Sequence, residues 1–103
     1  MSEYLADVRR YDAGADEAVV AKIVRHLGIA LRNRDSSLVS ATDPEELKRV
    51  RTNWVAKKLG LTDEAKGDEV VAHVAEIMKG DRNKNRVTFY YLVAKQLGKL
   101  GDL

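Results

Sequence analysis

The sequence predicts an all-α fold: a compact bundle of four to five helices around a buried C-terminal helix, with residues 1–103 forming a single helical domain. Three observations carry this. Apolar residues recur at helical spacing in every long segment, as in Val19, Val20, Ile23, Val24 and Leu27. No segment shows the strict alternation of a half-buried strand, and no turn pair suggests a hairpin. The stretch from Val87 to Leu97 is apolar around nearly its whole circumference, interrupted only by Thr88, Lys95 and Gln96. A helix without a polar face is buried on more than one side, so this stretch is either the centre of the fold or half of a subunit interface.

Each element has local reasons. Tyr4, Leu5, Val8 and Tyr11 form a first stripe that Gly14 breaks. Asp16 is placed to cap a second helix, whose polar side carries Lys22, Arg25 and His26. Gly28 interrupts that helix, yet Ala30 and Leu31 keep its stripe. Continuation to about Arg32 is therefore expected, at a glycine cost of about 1 kcal/mol. Residues 33–42 are rich in Ser, Asp and Asn, which favour turns. From this loop Leu38 and Val39 are expected to plug the core. Asp43, Pro44 and Glu46 give the clearest helix start in the chain, a cap, a first-turn proline and a box-like acid, with Gly60 as the stop. Thr62 opens the next unit, Gly67 interrupts it, and Val70, Val71, Val74, Ile77 and Met78 form its stripe before Gly80. Asn83 or Asn85 is placed to cap the last helix.

Composition narrows the function classes. The 103 residues are 45% hydrophobic and 33% charged, a globular balance. There is no Cys, which excludes a disulfide scaffold, a Cys-ligated zinc site and a thiol nucleophile. The start of the chain lacks the apolar core of a secretory signal, and no run approaches the ~20 apolar residues of a membrane span. A cytoplasmic protein without membrane contact is expected. The net charge of +2 is too small to argue for nucleic acid. Its blocks alternate: residues 32–60 hold seven bases and four acids, 61–78 one and five, 79–103 six and two. Such blocks more often satisfy one another within a fold.

No pattern points to catalysis. His26 and His73 both lie on polar helix sides and read as solvated; no metal site and no cofactor are expected. The acid pairs Glu45-Glu46, Asp63-Glu64 and Asp68-Glu69 sit near helix starts, where they complement the helix dipole. Arg51 and Lys58 fall inside an apolar arc; Arg51 is expected to pair with an acid from another helix, Lys58 to snorkel. The basic segment from Lys79 to Arg86 lacks the glycine pattern of a phosphate loop. Its bases next to a helix start nevertheless make Arg82, Lys84 and Arg86, joined by Arg32 and Arg34, the candidate anion-binding residues.

Several strings taken together are also familiar. They are Tyr4-Leu5-Ala6-Asp7-Val8, Gly28-Ile29-Ala30-Leu31-Arg32, Arg34-Asp35-Ser36-Ser37-Leu38-Val39, Lys57-Lys58-Leu59-Gly60-Leu61, Met78-Lys79-Gly80-Asp81-Arg82-Asn83-Lys84 and Arg86-Val87-Thr88-Phe89-Tyr90-Tyr91-Leu92. In these the chain resembles a small bacterial family known as domain of unknown function 2853. The resemblance spans almost the whole chain and brings no activity, cofactor or site residue with it. A second similarity is local: residues 54–65, from Trp54 to Ala65, look like a helix–turn–helix junction in the zeta-type inhibitor of alphaproteobacterial ATP synthase. The inhibitory N-terminal segment of that family has no counterpart here, so inhibition is not carried over.

The expected function is therefore a small non-enzymatic protein-binding or adaptor module, self-association included, meeting a protein partner or a second copy through Phe89, Tyr90, Val93 and Leu97. The alternative is an anion-, nucleotide- or nucleic-acid-responsive protein using the 79–86 loop.

Overall fold

The computed structural model describes residues 2–33 and 36–103. Five α-helices make up most of it: α1 Ser2–Arg9, α2 Glu17–Leu27, α3 Pro44–Val50, α4 Glu64–Ile77 and α5 Arg86–Gln96. A short 3-10 segment, Gly28–Arg32, follows α2, and a wide π-helical segment, Arg51–Ala56, prolongs α3. A last 3-10 turn spans Leu100–Asp102. The fold is thus all-α in its bulk, with one small exception. Leu38–Val39 (β1) and Lys84–Asn85 (β2) pair antiparallel, Leu38 opposite Asn85 and Val39 opposite Lys84. Two residues per strand are too few to show alternation, so the sequence carries no strand signal here.

The caps agree with the local chemistry. The side chains of Asp16, Asp43, Asp63 and Asn85 each accept from a backbone N–H in the first turn of α2, α3, α4 and α5 respectively. Asp63, one residue beyond the expected Thr62, starts α4. Gly28 ends α2 with φ +42°, its N–H bonded to Val24 O, so the helix does not continue in α form to Arg32 but tightens into 3-10 turns. Gly67 does not interrupt α4. A Cβ at this position would stand 3.0 Å from Arg51 Cγ, so the missing side chain makes room for the Arg51 stem between the two helices.

The end of the third helix differs from the expected regular run to Gly60. Lys57 N–H donates to Thr52 O and Leu59 N–H to Trp54 O, five residues back in each case. The wide turn carries Trp54 and Val55 fully into the core.

At the centre lies α5, with Val87 to Ala94 all buried, among them Phe89 and Val93 without any exposure. It packs against α1, α2, α4 and the π segment. Trp54 stacks on Tyr90 with ring centres 4.7 Å apart and donates its indole N–H to the Tyr90 carbonyl at 2.9 Å. Polar side chains that α5 carries inside meet partners from other elements: Thr88 donates to Asp7, and the Tyr91 hydroxyl to Asp12 Oδ2 at 2.6 Å. Val39 is buried from the loop as expected, with Leu38 half-buried.

The central helix thus takes its walls from within one chain. Truncating Phe89 to Ala should cost about 3–5 kcal/mol, since the cavity forms where nothing can collapse from solvent. Urea unfolding of the purified variant checks this, and a loss below about 1 kcal/mol would contradict the packing described.

Candidate functional site

The two sets of residues singled out from the sequence fare differently from expectation. Phe89, Tyr90 and Val93 are buried inside the single chain, and Leu97 is half-buried. The proposed partner interface on α5 is therefore corrected: its apolar excess is covered by the molecule's own helices and is not available to a second protein.

The basic loop is likewise used within the fold. Arg86 forms an ion pair with Glu46, and both side chains are only 11% exposed. Arg86 also donates to Ser36 O at 2.6 Å and to Leu38 O at 3.1 Å, and lies over the Tyr90 ring at 5.7 Å. It is a strut joining α5, β1 and α3, not an open cation. Lys84 donates to Asp81 O at 2.8 Å. Asp81 itself is held by Arg10 Nη2 at 2.6 Å and by the Tyr11 hydroxyl at 2.6 Å. Burial, then the bond to Asp81, pushes the Tyr11 phenol up to about 12. Arg82 and Arg32 are exposed, and Arg34 lies outside the described residues. The expected five-residue anion site is not assembled as one unit among the described residues.

Arg51 meets its expectation. Its Nε lies 2.6 Å from Asp68 Oδ1 and its Nη1 3.6 Å from Glu64 Oε1, both on α4. The angle at Nε is poor for a hydrogen bond, so the attraction is mainly Coulombic. This pair lines a hollow of about 300 Å³ with Pro44, Leu47, Val71 and Ala72. The hollow is walled by charges of both signs that already meet each other.

A different cluster stands out. Lys22, Arg25 and His26 on α2 face Lys58, just after the π segment, across an open cleft of about 340 Å³ completed by Leu103. Its described lining contains no acidic side chain. None of Lys22, Arg25 and Lys58 pairs with a carboxylate side chain among the described residues; Lys22 Nζ donates at 2.9 Å to the main-chain oxygen of Leu103, the last residue of the chain, whose terminal carboxylate sets one negative charge against the cleft's bases. The His26 ring rests on Trp54 with centres 5.1 Å apart. Burial, and then the Lys58 charge, hold its pKa below the ordinary histidine value. His26 is exposed on the polar side of α2, as its helix position suggested, with its ring in contact with Trp54. His73 lines a separate hollow with Glu69, Val70 and Gln96. Sequence reasoning missed the cleft because its residues lie on two segments over thirty positions apart. The one available signal was the Lys22, Arg25, His26 spacing, which puts three bases on one helix face.

No group of three or more His, Asp or Glu that could hold a metal ion occurs among the described residues. No helix among them is long and apolar enough to cross a membrane.

The chain belongs to the family described as protein of unknown function (DUF2853), whose model matches residues 3–101. No curated protein matches the chain. Nothing in these comparisons supports the short similarity of residues 54–65 to the ATP synthase inhibitor.

The Glu46–Arg86 pair yields a prediction. Burial raises the Glu46 pKa, but the hydrogen bonds from Arg49 and Arg86 outweigh it and the net shift is downward. A carboxyl with a depressed folded pKa adds stability that is complete above its unfolded value of about 4.3 and is lost as pH falls toward the folded value. Asp81 and Asp12 are shifted the same way, chiefly by hydrogen bonds from Arg10 and Tyr91 respectively. Stability measured by urea unfolding should therefore fall steeply below about pH 4, after a shallow decline that starts near about pH 6.5, where His26, also held below its ordinary value, begins to take up a proton. Glu46→Gln, which strands the Arg86 charge, should cost about 3–5 kcal/mol at pH 7. A variant as stable as the parent would show that the pair is dispensable.

Proposed function

We propose that this chain is a non-enzymatic binding module that takes an anionic group of its partner in the cleft of Lys22, Arg25, His26 and Lys58. One observation carries the reading: four basic side chains converge on one concavity whose described lining has no acidic side chain. Several other bases are paired with acids, as with Arg10 and Asp81, Arg49 and Glu46, Arg51 and Asp68, Lys79 and Glu76, and Lys95 and Asp12, while the exposed Arg32, Lys48, Lys57, Lys66 and Arg82 stand outside this cleft. Lys22, Arg25 and Lys58 face only the terminal carboxylate of Leu103, so positive charge remains in excess and a bound anion relieves the repulsion. Ligand binding of this kind also stabilises the folded state by mass action. The chemistry needed is recognition alone. The cleft offers no nucleophile, and a single imidazole without a carboxylate neighbour lacks the partner that orients a general base.

The cleft replaces the 79–86 loop as the anion site and replaces α5 as the face presented to a partner. Titration of the labelled protein with inorganic phosphate at low salt should move the backbone amides of residues 22–26 and 57–59. A Lys22→Glu, Lys58→Glu double variant, altered only at exposed positions, should keep its fold and lose the response at least about tenfold. Shifts confined to residues 81–86 would reinstate the loop, and no shift at millimolar phosphate would remove the reading altogether.

A further inference from the structure

We propose that the group held in this cleft is a phosphate monoester, gripped by Lys22, Arg25 and Lys58, with His26 as a fourth donor that becomes available when the imidazole takes up a proton from solvent. This rests on the reading of the cleft as an anion site and names its ligand.

Charge and shape select phosphate over carboxylate. Lys22, Arg25 and Lys58 bring three positive charges before His26 ionises. A carboxylate supplies one negative charge and two coplanar oxygens, which one arginine fork already saturates. A phosphate monoester carries about −1.5 to −2 at neutral pH and three strong acceptor oxygens set tetrahedrally, so it can meet bases arriving from both α2 and the segment opposite. The cleft volume of about 340 Å³ lies at the lower end of the range for small-ligand sites, enough for a phosphate and a small organic body. Lys22 Nζ already holds one anionic oxygen, of the Leu103 terminal carboxylate, at 2.9 Å, and a phosphate, with more charge and more acceptor oxygens, competes with it for that lysine. The half-buried Leu103 side chain gives the ester's organic part an apolar wall.

His26 is held in place. Its ring lies against the fully buried Trp54 indole, which is itself fixed to the Tyr90 carbonyl. The charged groups lining the cleft with it are Lys22 and Arg25 from its own helix, Lys58 from across the cleft and the Leu103 terminal carboxylate held by Lys22; no acidic side chain stands among the described lining residues. Partial burial against Trp54, and then the Lys58 charge, lower the imidazole pKa and so favour its neutral form. A dianion reverses the sign of the local field and favours the imidazolium, which then donates to it.

The test uses the two histidines of the full chain, followed by imidazole carbon–proton NMR from about pH 5 to pH 8.5 in the presence of methyl phosphate, sulfate or acetate at matched ionic strength. With methyl phosphate or sulfate the His26 midpoint should rise by at least about half a pH unit, while His73 serves as internal reference and does not move. Sulfate stays a dianion throughout, so its affinity should rise steadily as the pH is lowered from 8 to 5, approaching the roughly threefold limit that a half-unit shift sets. In Lys58→Gln the ligand-free His26 midpoint should already be higher than in the parent, and the methyl phosphate effect smaller. Amide shifts at residues 22–26 without movement of the His26 midpoint would overturn the proton-coupled phosphate assignment and leave the anion site standing. An equal response to acetate would assign the cleft to carboxylates instead. Absence of any amide shift with all three anions would overturn the anion site itself.

Discussion

The enclosure of α5 is the constraint from which the rest of the structure follows. A helix buried from Val87 to Ala94 has no face on which to leave a polar group in water. Every such group must find a partner brought in by another element, because an unpaired buried donor costs about 1–3 kcal/mol. Thr88 therefore calls for Asp7 on α1, and the Tyr91 hydroxyl calls for Asp12 in the turn before α2. Those two acids sit where the chain reverses from α1 to α2, so the demands of α5 help fix that turn. The Trp54 indole faces the same requirement and meets it on the Tyr90 carbonyl, which locks the π segment to the central helix.

The same requirement explains where charges end up. Arg86 stands at the mouth of α5, and its fork is taken by Glu46 and by the carbonyls of Ser36 and Leu38, which also holds β1 beside β2. Asp81 is drawn to Arg10 and Tyr11, tying the loop before β2 to the end of α1. Three further acids, Asp16, Asp43 and Asp63, are engaged as helix caps. With these carboxylates committed to core struts and helix ends, the outer face of α2 is left with Lys22, Arg25 and His26 and no acidic side chain among the described neighbours that line the cleft. A chain of nearly balanced charge thereby presents a local cationic surface.

Much of the fold is legible in the sequence, for identifiable reasons. The central place of α5 follows from its missing polar face, and the starts of α2, α3 and α5 follow from Asp16, Asp43 and Asn85, whose short oxygen-bearing side chains reach first-turn amides. Gly67 is misread from sequence because its role is steric and distant: it makes room for an arginine stem from another helix. The wide turn at Arg51–Ala56 leaves no trace in apolar spacing over a single turn, and a two-residue ribbon has no alternation to detect. The candidate site is the least legible part. Three of the loop's bases look free in sequence, but Arg86 and Lys84 are occupied by backbone carbonyls that only the folded chain supplies. Conversely, Lys58 reads in sequence as a snorkelling lysine on an apolar arc, and its exposed place opposite α2 is supplied only by the fold.

That facing is itself a consequence of the core. Bonding five residues back instead of four adds about one residue to the turn, which rotates every later side chain by about 100° relative to an uninterrupted α-helix. The rotation lets Trp54 and Val55 point inward while Lys58, four residues beyond the indole, comes round toward Arg25 and His26. Trp54 then serves both sides, with one contact on Tyr90 at 4.7 Å and another on His26 at 5.1 Å. Its position is set by a hydrogen bond and by complete burial, so the imidazole it supports is placed by the interior of the protein rather than by the mobility of the surface. A cleft with one wall fixed in this way needs less ordering when a ligand arrives, and less of the attraction between anion and bases is lost to entropy. The segment that departs most from regular helix geometry is thus the one that joins the core to the surface most able to bind a partner.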